Sequence, residues 1–453
     1  VLGCNAAYNR IGGLAPGERN VISGNDSEGV NMMDVGTSHN LVIGNYIGID
    51  VSGLVGLGNR GWGVAIQLSA SGNVVKQNVI SSNERDGVYF GDAGSNYNTL
   101  IGNLIGTDAG GTTPLGNGEE GNGVLLGAAL NRVEGNVISG NAGSGIGVGN
   151  LYDNKGNFIL GNCIGVEASG TSVVGNAWSG VYLGGTRRNF VGGTTSSESN
   201  IIGGNREGIS AAANSGYNFI GGNYIGTNAE GATGLSNQWA GITLQDHTAH
   251  NVIQGNLISG NEGEGVSIGE GSDFNHLRAN LVGVTVDGVS PLPNGADGVR
   301  IEAASNTVGG MYPEDGNTIA FNSGDGVMVR TYSRNAIRRN SIYSNTGSGI
   351  SLADGGNNSL PAPLITAVLS TSVSGTACPG CIVEVFSDEE DEGRVYEGYA
   401  VADGTGDWTW TGSPSGPYVT ATATDEAGNT SPFSAPLMVW RKWIYLPVIL
   451  REG

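Results

Sequence analysis

Lysine is almost missing from this chain of 453 residues: only Lys76, Lys155 and Lys442 occur, and charged residues make up 13% of the whole. Cysteine is scarce too, at four, so no dense disulfide framework organises a chain of this length. No run of ~18 apolar residues is available to span a membrane, and no strict glycine period marks a collagen-like rod. Leu, Ala, Lys and Glu do not dominate, which argues against a helical fold. Twenty basic residues face 41 acidic ones, a net charge of -21. Such a surface repels nucleic acid and anionic membranes, and neither is expected as a partner.

What is abundant is Gly, at 82, and Asn, at 47. Segments such as Asn40–Ile47 (NLVIGNYI), Asn98–Ile105 (NTLIGNLI) and Asn251–Ile258 (NVIQGNLI) align on N-x-Φ-x-x-N-x-I, where Φ is aliphatic. Following that register yields twelve coils. The second Asn column is Asn20, Asn45, Asn78, Asn103, Asn136, Asn162, Asn200, Asn223, Asn256, Asn280, Asn317 and Asn340. Two residues after each stands Ile, with Val282 the exception, and every coil closes on Gly followed by Val or Ile, from Val30 to Ile350. Each coil thus has two short β-type runs that cannot bury an apolar face alone, so neighbours must stack. Stacked Asn amides can bond to one another along the axis, and the closing Gly suits a corner.

This pattern resembles the right-handed parallel β-helix of pectate lyases and phage tailspikes, with their asparagine ladders. The resemblance implies an all-β solenoid over residues 1–359, a rod roughly 58 Å long at ~4.8 Å per coil. Five longer inserts (Gly48–Trp62, Gly106–Asn122, Gly165–Ser179, Gly226–Ala240 and Gly283–Asp297) and three shorter ones (Leu14–Arg19, Thr194–Ser199 and Met311–Gly316) are expected to form a ragged ridge on one edge.

Composition changes near Ser359: of the 47 Asn, 46 lie before it. Alternating runs and turn signals over 360–437 predict a small β-sandwich, and TATATDEAGN (Thr420–Asn429) resembles bacterial immunoglobulin-like repeats on surface proteins. Residues 438–453 form an apolar tail, too short for a membrane span. Cys378 and Cys381 bracket a tight turn and can form a local disulfide, whereas Cys4 and Cys163 sit five coils apart and cannot meet.

Hydrolysis of a glycosidic bond takes two carboxylates on one groove, about 5–9 Å apart. The position before the closing Gly places Glu264, Asp297 and Asp325 in successive coils, and they are the candidates for acid–base work or Ca²⁺ binding. The same column accepts Ser144, Ala240 and Trp62, so a solvated polar edge explains it more simply. The N-T-D, G-H-G and R-I-K segments of polygalacturonase-like enzymes are missing. On this reading the chain is not an enzyme, no cofactor or metal is expected, and Ca²⁺ on the acidic run Asp388–Glu392 is the alternative to a solvated hairpin loop.

A structural role follows. Val1 and Leu2 enter the first coil without a capping helix, and an uncapped sheet edge invites pairing. The tail residues Trp443, Ile444, Tyr445, Leu446, Val448, Ile449 and Leu450 are expected to add to the first coil of another copy, building a head-to-tail filament. The chain itself is the expected partner, glycans the second. Its start at Val1 suits a processed chain with an extracellular or cell-surface location. The alternatives are a cell-surface adhesin and a polysaccharide lyase or hydrolase.

Overall fold

The computed structural model describes residues 1–439 apart from Pro16, Glu120 and 150–153. Residues 1–353 wind into a right-handed β-helix whose strands form three parallel sheets of twelve strands each. The second coil shows the unit: Leu41–Ile43 in the first sheet, Tyr46–Ile47 in the second and Val64–Gln67 in the third. The register keeps like over like, with Val42 beside Val75 and Ile47 beside Ile80. Ile47, Ile80, Ile105 and Ile138 are fully buried, and one continuous apolar core runs from Val30 to Ile350.

Two runs per coil were expected and three are present. The Gly–Val/Ile motif opens a third strand instead of closing a corner: Val88 and Phe90 point into the core while Tyr89 points out. The glycines are there for space, not for unusual dihedrals. A Cβ on Gly87 would lie 2.7 Å from the Gly123 carbonyl oxygen and 2.8 Å from Ile105 Cγ2, closer than packed atoms tolerate.

Asparagine ladders run the length of the rod. Asn45 donates through both its backbone N–H and Nδ2 to Asn78 Oδ1 (2.9 and 3.0 Å), and Asn103 does the same to Asn136. A third ladder, unread in the sequence, turns the corner into the third sheet, where Asn83, Asn117, Asn141 and Asn176 pass hydrogen bonds of 2.9–3.0 Å along the axis. These amides satisfy backbone groups that the corners would otherwise bury unpaired.

The five long inserts are not ragged. Each closes an antiparallel bridge, such as Ile49 to Gly56 and Thr227 to Gly234, and inserts dock on one another, as where Ala109 N–H donates to the Gly53 carbonyl at 2.9 Å. Asp50, Asp108 and Asn228 each offer Oδ1 to two backbone N–H groups of their own hairpin. That shared turn chemistry explains why Asp and Asn interchange there.

After the solenoid come two antiparallel sheets. One holds Leu364–Leu369, Ser372–Thr376 and Asp407–Thr411; the other holds Val395–Val401, Ile382–Asp388, Tyr418–Thr424 and Leu437–Met438. Val383, Val385, Trp408 and Val419 are buried between them. This domain covers the end of the rod. Phe433 packs on the solenoid core, Ile342 and Gly393 pair as a β-bridge, and the buried Glu384 carboxylate meets Arg338 and the Arg339 N–H (3.3 and 3.0 Å). The third Asn ladder ends on Glu392 Oε2, which accepts from Asn345 N–H at 3.3 Å. The acidic run is a hairpin loop with Glu389, Glu390 and Asp391 exposed at its tip, as expected, but its two ends, Asp388 and Glu392, are buried at this junction. Burial, with Asp388 and Asp391 nearby, pushes the Glu392 carboxyl up to about 7. Cys378 and Cys381 are joined by a disulfide, while Cys4 and Cys163 are free thiols.

Candidate functional site

The outer face of the third sheet and the corner leading into it carry the chemistry. Backbone hydrogen bonds stack one corner position from coil to coil: Gly143, Trp178, Arg206, Trp239 and Gly263 follow one another, each N–H donating to the carbonyl of the residue before. Most positions in this column are Gly or Ala (Gly61, Gly121, Gly143, Gly263, Ala296, Gly324 and Gly347). Large side chains there are not needed to build the rod, so Trp178, Arg206 and Trp239 stand out from a low floor.

Both indoles are half exposed, at 52% and 50%, and the Arg206 guanidinium lies between them, 4.6 Å from the Trp178 ring and 3.8 Å from that of Trp239. Such stacking between two rings holds the cation in place. Among the described residues no carboxylate pairs with it. Beside it Glu207 is held by hydroxyls from the coils on either side, Ser179 Oγ at 3.2 Å and Thr243 Oγ1 at 3.1 Å. Tyr182, Gln245 and Asn122 complete a cleft of about 500 Å³. The arrangement offers flat apolar faces, a rigid cationic edge and one oriented carboxylate.

The carboxylates singled out in the sequence lie two to four coils from Glu207 toward the C-terminal end, and the structure brings them together in another role. Asp297 Oδ1 accepts from the Asp325 N–H at 2.8 Å, and Asp325 Oδ1 accepts from the Ser348 N–H at 2.7 Å. Each caps the backbone of the next coil. Burial, reinforced by Asp325 and Glu264, holds the Asp297 carboxyl above the usual range. Glu264 is bound by Arg300 at 3.3 Å, in a network that continues through Glu302 and Arg330 to Asp354. All three are thus tied to backbone N–H groups or to arginine, whereas Glu207 is held only by two hydroxyls. No group of three His, Cys, Asp or Glu side chains is placed to hold a metal among the described residues.

Of the assembly residues, Leu2 bridges to Met32 and Val1 is exposed. Trp443, Ile444, Tyr445, Leu446, Val448, Ile449 and Leu450 lie outside the described residues. The cleft itself escaped the sequence reading, although a signal was present: all three tryptophans of the solenoid, Trp62, Trp178 and Trp239, fall within two residues of a closing Gly.

A family model described as the right-handed β-helix region matches residues 279–362, in agreement with the three-sheet architecture. None of the curated proteins matches the sequence. Among solved structures, the chain is similar to the Dettilon tailspike protein, at 14% identity over 93% of this chain and 85% of that one, with a TM-score of 0.47. It is also similar to the periplasmic alginate epimerase AlgG, at 14% identity over 70% and 69% with a TM-score of 0.39. A third is PfbA, a surface adhesin of Streptococcus pneumoniae, at 11% identity over 91% and 79% with a TM-score of 0.31. At these identities the likeness is one of fold. The expectation that the chain is not an enzyme does not stand, since the similar structures include an alginate epimerase as well as an adhesin. No helix among the described residues is long and apolar enough to cross a membrane.

Proposed function

We propose that this chain is an extracellular carbohydrate-active protein that binds an anionic glycan in the cleft at Trp178, Arg206 and Trp239 and acts on it through Glu207. The observation that carries the reading is the unpaired guanidinium between two exposed indoles. Its faces are occupied, so only its N–H edge is free, and a carboxylate or sulfate satisfies that edge best. Among the described residues no acid pairs with Arg206, so that edge is open to a ligand. The outer indole faces and Tyr182 offer platforms for the apolar side of sugar rings. Glu207, fixed by two hydroxyls, is the proton acceptor. With a uronate carboxylate neutralised on Arg206, Glu207 takes the proton of the adjacent C–H. The electron pair left on carbon forms a C=C bond as the C–O bond to the next sugar breaks, the departing oxygen taking its proton from water.

The test is calorimetric titration with polyuronate, sulfated and neutral glycans, followed by analysis of the products. Uronate or sulfated chains should bind and neutral ones should not, Arg206→Ala should abolish binding, and Glu207→Gln should bind without turnover. Equal binding of neutral glycans would remove the anionic assignment.

A further inference from the structure

The corner column that carries Trp178, Arg206 and Trp239 holds one other large residue, Arg85, three coils toward the N-terminal end. Its guanidinium lies 4.8 Å from the ring of Trp62, and that indole stacks on Tyr89 with centroids 4.5 Å apart and planes 15° from parallel. The indole N–H of Trp62 donates to Asp86 Oδ2 at 3.0 Å, while Asp86 Oδ1 accepts from the backbone and side chain of Asn122 at 2.8 and 2.9 Å. The ring is thus anchored, and Arg85, exposed, has no acidic partner among the described residues. A second cleft of about 790 Å³ opens here, lined by Glu84, Asp86 and Glu119 as well as Trp62 and Arg85, and Asn122 lines both it and the central cleft. Between the two arginine–aromatic pairs the column is reduced to Gly121 and Gly143, which leaves the floor low.

We infer that Trp62, Tyr89 and Arg85 form a second sugar-binding subsite, an anchored aromatic platform, and that one glycan chain lies along the rod axis across both clefts. The inference rests on the reading of the central cleft as a glycan site and adds the direction and length of the ligand. From the Trp62 coil to the Trp239 coil is six steps, roughly 29 Å at ~4.8 Å per coil, the span of about six sugar rings at one ring per coil.

The experiment measures affinity against oligosaccharide length, from two rings to eight, for whichever anionic glycan the intact protein binds. Affinity should climb to about six rings and then level, and Arg85→Ala should weaken the long oligosaccharides about tenfold while leaving those of two or three rings unchanged. Trp62→Ala, checked by its unfolding midpoint, should do the same. A plateau at two or three rings, with Arg85→Ala silent at every length, would overturn the second subsite and leave the central cleft standing. If no oligosaccharide binds and Arg206→Ala changes nothing, the central reading fails and this one falls with it.

Discussion

Glu207 and Asp297 occupy one column of the solenoid, three coils apart, yet they are held in opposite ways. Asp297 is short, buried, and spends an oxygen on the Asp325 N–H. Glu207 is one methylene longer, reaches past the backbone, and is gripped only by two hydroxyls at the wall of a cleft. Neighbours decide the rest. Around Asp297 the acids are bound to one another's backbone or to Arg300, whereas around Glu207 the nearest cation is stacked between rings. A column of acids therefore says little until each oxygen's partner is known.

The contrast can be broken most sharply by turnover. Glu207→Gln should reduce turnover of the bound glycan by 100-fold or more, roughly the range of general acid–base catalysis, with the unfolding midpoint unchanged; Asp297→Asn should leave both intact, since Asn122 already fills that column and caps Ser144 N–H at 3.1 Å. Equal losses in the two variants would erase the distinction.

A third carboxylate, Glu392, tests the buried end of the same logic. The fold favours its neutral form, raising the carboxyl from 4.5 to about 7. Its contribution is therefore fully present below about pH 4.5 and is lost as the pH rises through about 7, on the order of 3 kcal/mol in all. Denaturant unfolding followed across that window should show the C-terminal domain loosening, and Glu392→Gln should flatten the dependence.

Trp239→Ala should weaken glycan binding by about 2 kcal/mol, as for a buried aromatic anchor, read by titration. Asp297→Ala should cost about 1–2 kcal/mol of stability, because it leaves the Asp325 N–H without an acceptor, and should not touch binding. The smallest effect is expected for Asp50→Asn: within about 0.5 kcal/mol, because Asn228 makes the same two turn bonds in a sister insert.

Residues that repeat were legible, and residues that break the repeat were misread. Ile47, Ile80 and Ile105 recur at a spacing that only stacking explains, so the solenoid followed directly. The third sheet was missed because Val88–Phe90 and its counterparts are separated from the second strand by inserts of varying length. The ladder through Asn83 and Asn117 was hidden for the same reason. Trp178, Arg206 and Trp239 were lost because periodic reading discards what does not recur, and a binding site on a solenoid is made of such exceptions.

The sequence alone determined the winding of the chain: a local pattern, copied twelve times, buries one aliphatic column and pairs one amide column whatever the rest does. It also announced the change of architecture near Ser359. Only the tertiary structure decided which carboxylates are free. Residues from separate coils, 28 positions apart in the case of Asp297 and Asp325, meet only after stacking, and whether an acid finds a backbone N–H, an arginine or open solvent depends on side-chain length and on the neighbour one coil away.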